Sequence, residues 1–217
     1  MSNKNKVFLV FGIFLLGLII VIVTATYFGL QKDPERTEEV KVKAADYLDK
    51  HFTDEMEIVE VMYDNASIYE QFSYAAIVQP VNNPDFQFLV YPHRKTGEYT
   101  DSYVAEVWED ELEEFLMPRL KDKFGQNVIK ELWLTYPKDI GDQLNISHDD
   151  IPSLKGQDTG VVIRLTLSRG EKDNDEEALE ELLNEMKNEL SIERGHFTLS
   201  FSEKSLFLKD KNINKNF

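Results

Sequence analysis

The 217-residue chain carries 40 Asp and Glu against 24 Lys and Arg, a formal net charge of −16 at pH 7, and it contains no Cys. Disulfides, thiol nucleophiles, thiolate zinc sites, iron–sulfur clusters and Cys-linked lipid anchors are therefore excluded. The acidic balance also argues against a nucleic-acid partner, because phosphate contacts need clustered Lys and Arg.

In chain order, the first element is the run Val7–Leu30, which holds no charged residue. A helix of that length extends ~36 Å, enough to cross a hydrocarbon core of roughly 30 Å with some tilt. In lipid only a helix satisfies all of its backbone polar groups. Residues 7–30 are expected to form a transmembrane helix, with residues 1–6 as a cytoplasmic tail. A cleaved leader competes with this, using Lys4 and Lys6 as its positive region and Val23-Thr24-Ala25 as a small-residue cleavage site. The apolar run exceeds the roughly 7–15 residues of a leader's core, which favours a retained signal-anchor. Lys32, Arg36, Lys41 and Lys43 follow the span, so a bare cation count keeps the large domain inside as a cytoplasm-facing adapter. A two-Lys tail abutting the span, and the ease with which long domains translocate, favour the opposite orientation. Residues 31–217 are then an extracytoplasmic domain at the cell membrane, with a subdivision near Gly125 as the alternative to a single unit.

Within that domain, Asp33 reads as an N-cap with Pro34 at the first helical position. Val40, Ala44, Tyr47, Leu48 and Phe52 then form an apolar stripe. Strands are expected over Glu57–Tyr63, Phe72–Gln79 and Phe86–Tyr91, with the proline- and asparagine-rich stretch 80–85 joining the last two. A second helix, Tyr103–Phe124, presents Val104, Val107, Trp108, Leu112, Phe115, Leu116 and Leu120 on one face, and Pro118 should kink it. A strand follows at Val128–Tyr136. Residues 138–160 form the longest loop, and Val161–Ser168 alternates as a strand. A third helix, Asp175–Ile192, buries Leu179, Leu182, Leu183, Met186 and Leu190, and Gly195 stops it. Phe197–Phe201 is the last strand, and Lys209–Phe217 is expected to fray. The order α-β-β-β-α-β-β-α-β gives an α+β fold, a mainly antiparallel sheet with helices on one face. The last β-α-β unit offers one parallel or skipped pairing.

Few residues carry chemistry. No phosphate-binding glycine loop, zinc-binding His pair or nucleophile elbow occurs. The four His, at 51, 93, 148 and 196, are scattered. Asp173-Asn174-Asp175-Glu176-Glu177 starts like a calcium loop, but Ala178 stands where glycine is needed, and acids at a helix start complement its dipole. No cofactor is expected. His148 with Asp149 and Asp150 could serve a hydrolase if the long loop formed a cleft. The stronger candidates are binding surfaces: the sheet aromatics, with Phe86 and Phe88 on one face and Tyr91 on the other, some of them exposed if helices cover only one face, and the acidic helix face at Glu177, Glu181 and Glu185.

A lysine-bearing tail, one span and an acidic Cys-free α+β domain together resemble the small single-pass envelope proteins of Gram-positive bacteria. The segment Gly97-Glu98-Tyr99-Thr100-Asp101-Ser102-Tyr103, which leads into a Trp-bearing helix, carries the same likeness. It is one of layout and transfers no functional residue. The expected role is a non-enzymatic, membrane-tethered binding or scaffold module that recognises a basic envelope protein or another cell-surface component.

Overall fold

The computed structural model describes residues 32–157, 159–202 and 212–217. The expected membrane helix at Val7–Leu30 and the tail before it lie outside the described residues. Among the described residues no helix is long and apolar enough to cross a membrane.

Helix α1 spans Pro34–His51. Its cap forms as the sequence dictates: Asp33 Oδ1 accepts the backbone N–H groups of Glu35 and Arg36 at 2.9 and 3.3 Å. Val40, Ala44, Tyr47 and Leu48 are buried against the first sheet. That sheet is wholly antiparallel in the order β1 (Met56–Tyr63), β2 (Tyr74–Pro80), β3 (Phe88–Pro92), β4 (Tyr99–Asp101). Strand alternation sends Phe88 and Val90 to the α1 face, while Leu89 and Tyr91 turn to the other. On that second face Phe72, from the segment before β2, covers Ala75 and Tyr91.

Helix α2 (Tyr103–Phe124) starts directly after β4 and packs on a second sheet, β5 (Ile129–Thr135), β6 (Val161–Leu167), β7 (Gly195–Phe201) and β8 (Asn212–Asn216), adjacent in that order. The connection from β6 to the parallel β7 is helix α4, Asp175–Glu185, continued by a π-helical turn at Met186–Leu190. Leu112, Leu116 and Leu120 of α2 and Leu179, Leu182 and Met186 of the crossover share one core with Ile163, Leu165, Phe197 and Leu199. Between β5 and β6 lies a short helix, α3 (Ile140–Leu144). Its Gly141 sits so close to α2 that a Cβ would lie 2.9 Å from Val104 Cγ2.

The mixed α+β class and the antiparallel first sheet match the sequence expectation, and so does the one parallel pairing. The differences have physical causes. One sheet was expected, and two four-stranded sheets form, because α2 turns its whole apolar stripe toward β5–β7 and so founds a second core. Along the chain the first core gives way to the second at the start of α2, between Tyr103 and Val104, upstream of the subdivision the sequence suggests near Gly125. Helix α2 runs unbroken through Pro118. That proline is on the exposed face, where solvent can satisfy the carbonyl it frees while Leu116 and Leu120 keep their packing. The crossover helix stops at Ser191, which takes a left-handed φ of 59°, whereas Gly195 opens β7, where a Cβ would lie 2.7 Å from the Val161 carbonyl. Residues 212–216, expected to fray, form β8 instead. Its Ile213 pairs opposite Leu199 and packs on the second core, an anchor that the polar alternation around it conceals.

Candidate functional site

Four acids of α2, Glu106, Glu109, Asp110 and Glu113, fall at successive spacings of three, one and three. They form a single stripe along the helix. The stripe lines a groove of about 440 Å³ whose other side is the second face of the first sheet, with Met62, Ile77 and Leu89, and the edge strand β5, with Leu132 and Trp133. The groove is amphipathic, apolar on one side and acidic on the other. Among the described residues one cation enters it. Lys138 Nζ lies 2.8 Å from Glu106 Oε1 and 2.9 Å from Glu109 Oε1. Glu109 Oε1 also accepts the Tyr136 backbone N–H at 2.9 Å.

Burial, together with the neighbouring Glu106 charge, pushes the Glu109 carboxyl up to about 7 against the pull of Lys138. Burial lowers the Lys138 ammonium, but Glu106 and Glu109 outweigh it and hold the pKa above its ordinary value. Asp110 is also raised, by burial and then by its like-charged neighbours Glu106, Glu113 and Glu114. Asp110 and Glu113 make no ion pair among the described residues. The stripe is therefore short of positive charge. Asp110 also borders a second opening of about 500 Å³, where Phe86, Tyr103 and Val107 face Asp54.

A separate polar cluster closes the free edge of the first sheet. Asp101 of β4 is buried, and its Oδ2 accepts the Tyr47 hydroxyl at 2.6 Å and lies 2.8 Å from His148 Nε2. Its Oδ1 accepts the Tyr103 N–H at 2.8 Å. The His148 ring also lies against Phe52, centroids 4.2 Å apart. Burial works against the charged imidazole, yet the Asp101 hydrogen bond and charge hold the His148 pKa above its ordinary value. On the other side of β4, the Thr100 hydroxyl donates to Asp142 of α3. The segment around α3 thus grips β4 from both faces and covers an edge otherwise open to strand pairing.

The residues singled out in the sequence are scattered by the fold. Phe86 borders the second opening. Phe88 and Tyr91 are 1% and 0% exposed and offer no surface, because each lies under a cover, α1 for Phe88 and Phe72 for Tyr91. Glu181 pairs with Lys123 at 3.0 Å, and Glu185 pairs with Lys123 at 2.9 Å and Arg119 at 3.3 Å, so α2 neutralises much of this helix's acidic face. Glu177 remains exposed. His148 is turned to Asp101 while Asp149 and Asp150 are exposed, so the three do not converge. Asp175 is buried and held by Arg169 through two bonds of 2.7 Å and by the Lys172 N–H. The α2 acids were visible in the sequence as a stripe at helical spacing. The charge on α4 is denser, and nothing in the sequence shows that an apolar sheet face stands opposite the α2 acids.

No family model matches the chain, and no curated protein matches it. Among solved structures, a DUF5037 family protein from Ruminococcus gnavus aligns at 13% identity and a TM-score of 0.33, over 74% of this chain and 73% of that one.

Proposed function

We propose that the chain is a membrane-tethered, extracytoplasmic binding module whose groove takes a basic segment, studded with apolar side chains, from a partner envelope protein. The groove's chemistry carries the proposal. Asp110 and Glu113 lack cationic partners among the described residues, and they face Met62, Ile77, Leu89 and Trp133 across a cleft of about 440 Å³. A ligand with Lys or Arg on one side and apolar groups on the other fills both walls. The charges set encounter rate and register, while the apolar contacts supply affinity. The tether at residues 7–30 would hold the groove near partners in the same membrane, where effective concentration replaces intrinsic affinity. Phe86 and Tyr103 in the adjoining opening extend the apolar wall.

The test uses the full-length chain in detergent micelles and a labelled decapeptide of alternating Lys and Leu, followed by fluorescence anisotropy. The expected outcome is saturable binding, weakened about tenfold or more when Asp110→Asn and Glu113→Gln are combined, with a shallower salt dependence. Asp173→Asn, in the exposed turn before α4, should leave binding unchanged. Equal affinity for the double variant and the parent would rule the groove out.

A further inference from the structure

The outer face of the second sheet, opposite α2 and α4, differs chemically from the rest of the molecule. Strand register places Trp133, Arg164, Thr198 and Asn214 in one row across all four strands. In the next row His196 stands opposite Asn216. In a chain of net charge −16, this face is nearly neutral: Arg164 lies within it, and Lys130 and Glu131 sit toward one end.

Its polar groups are held in place. His196 Nδ1 lies 2.7 Å from Asn216 Oδ1, its Nε2 is 3.1 Å from Thr198 Oγ1, and the Thr198 hydroxyl donates to Asn214 Oδ1 at 3.0 Å. Asn216 and Asn214 are each held through the side-chain oxygen, which leaves the amide N–H groups available as donors. The two amides repeat about 7 Å apart along β8. At the far end of the row, three strand spacings or about 14 Å from Asn214, Trp133 is 38% exposed, with the Arg164 guanidinium 4.6 Å from its ring centroid.

We infer that this face binds a neutral polysaccharide strand. The alternatives fit the face less well. A folded protein interface is built on a cluster of buried aromatic and aliphatic anchors, and here Trp133 stands among hydroxyls and amides. An anionic polymer would meet one guanidinium in the middle of a strongly acidic protein. An uncharged polyol suffers no repulsion, and its hydroxyls match the amide and guanidinium donors of Asn214, Asn216 and Arg164. Its apolar C–H faces can lie on the exposed indole. Because the polar side chains already hold one another, little rotamer entropy is lost on binding. The inference does not depend on the groove: the row from Thr198 to Asn214 lies outside the groove's lining, although Trp133 belongs to both.

The chain has two tryptophans, and Trp108 is fully buried with its N–H donated to the Pro152 carbonyl at 2.8 Å. Indole emission that changes with an added sugar therefore reports Trp133. The full-length chain in micelles is titrated with the β-1,4-linked tetramer of N-acetylglucosamine, with cellotetraose, and with tetragalacturonate as the anionic control. The expected result is a saturable change with at least one neutral tetramer, unaffected by 0.5 M salt, and none with the control. Asn214→Ala should weaken it about three- to tenfold, the equivalent of one neutral hydrogen bond, while Glu113→Gln leaves it unchanged. Absence of a saturable change with both neutral tetramers overturns the inference. So does a response that Glu113→Gln abolishes and Asn214→Ala spares, which would place the sugar in the groove.

Discussion

Replacing Asp101 with Asn keeps the shape of the side chain and removes its charge, so it isolates what that charge does at the edge of the first sheet. The native carboxylate faces three donors at 2.6–2.8 Å: the Tyr47 hydroxyl, His148 Nε2 and the Tyr103 N–H. In Asn the remaining oxygen can stay with the Tyr103 N–H, and the amide then points at Tyr47 and His148, which must accept instead of donate. Two charge-assisted bonds become neutral ones. With charged hydrogen bonds at about 1.5–3 kcal/mol and neutral ones at about 0.5–1.5, the loss is about 2 kcal/mol. For a chain of this length, that lowers Tm by about 4–8 °C. The pH dependence is the sharper readout. His148 has a folded pKa raised above its unfolded value near 6.5, so its contribution is complete below about pH 6.5 and is lost as pH rises through the folded value. Calorimetry of parent and variant should therefore show a larger gap in Tm at pH 6 than at pH 9. Glu109 also titrates in this range, but it is present in both proteins and cancels in the difference. A gap that is equal at the two pH values would show that His148 is not held charged by Asp101.

Two further perturbations follow from the same geometry. Glu109 titrates near 7, so the groove gains a negative charge as pH rises, and affinity for the Lys–Leu decapeptide should increase from pH 6 to pH 8. Glu109→Gln should flatten that rise in the same anisotropy assay. Asp175→Ala strips both carboxylate bonds from Arg169, whose side chain is only 14% exposed, and should cost about 3–5 kcal/mol in urea unfolding. Arg169 holds the Asp175 pKa below its usual value against the opposing effect of burial. Its contribution is therefore present above about pH 4 and fades as pH falls further.

Local order was the legible part. Asp33-Pro34 marked the start of α1, Tyr103–Phe124 was read to both ends, and the alternation of Phe197, Leu199 and Phe201 gave β7, because capping and periodicity act within a few residues. Pairing was not legible. Nothing in the sequence of β4, three residues long, or of β8, with Asn at alternate positions, marks it as a strand. Each is fixed by its neighbours: β4 by β3 and the grip of Thr100 and Asp101 on the α3 segment, β8 by β7. The candidate surfaces failed to show for the same reason. Phe88 and Tyr91 looked available only because α1 and Phe72 are remote in sequence. The α2 acids looked ordinary because the wall opposite them comes from β1–β3 and β5.

Both proposed surfaces are bounded by β5, and that follows from its position at the edge of the second sheet. An edge strand is exposed along one side, so its side chains can border a cleft with a neighbouring unit while alternate residues still reach the sheet's outer face. Trp133 does both: it lines the groove and stands in the row with Arg164, Thr198 and Asn214. Open sites of this kind bind weakly when isolated, and a Kd of 1 mM corresponds to about −4 kcal/mol. Membrane tethering changes what is required. Under the proposed tether at residues 7–30, a second contact would form at an effective concentration in the millimolar range, and two millimolar sites together would hold far more firmly than either does alone. A protein segment in the groove and a glycan on the sheet would each raise the occupancy of the other simply by keeping the domain in place. The combination suits a scaffold that has to release its partners again better than a single deep pocket would.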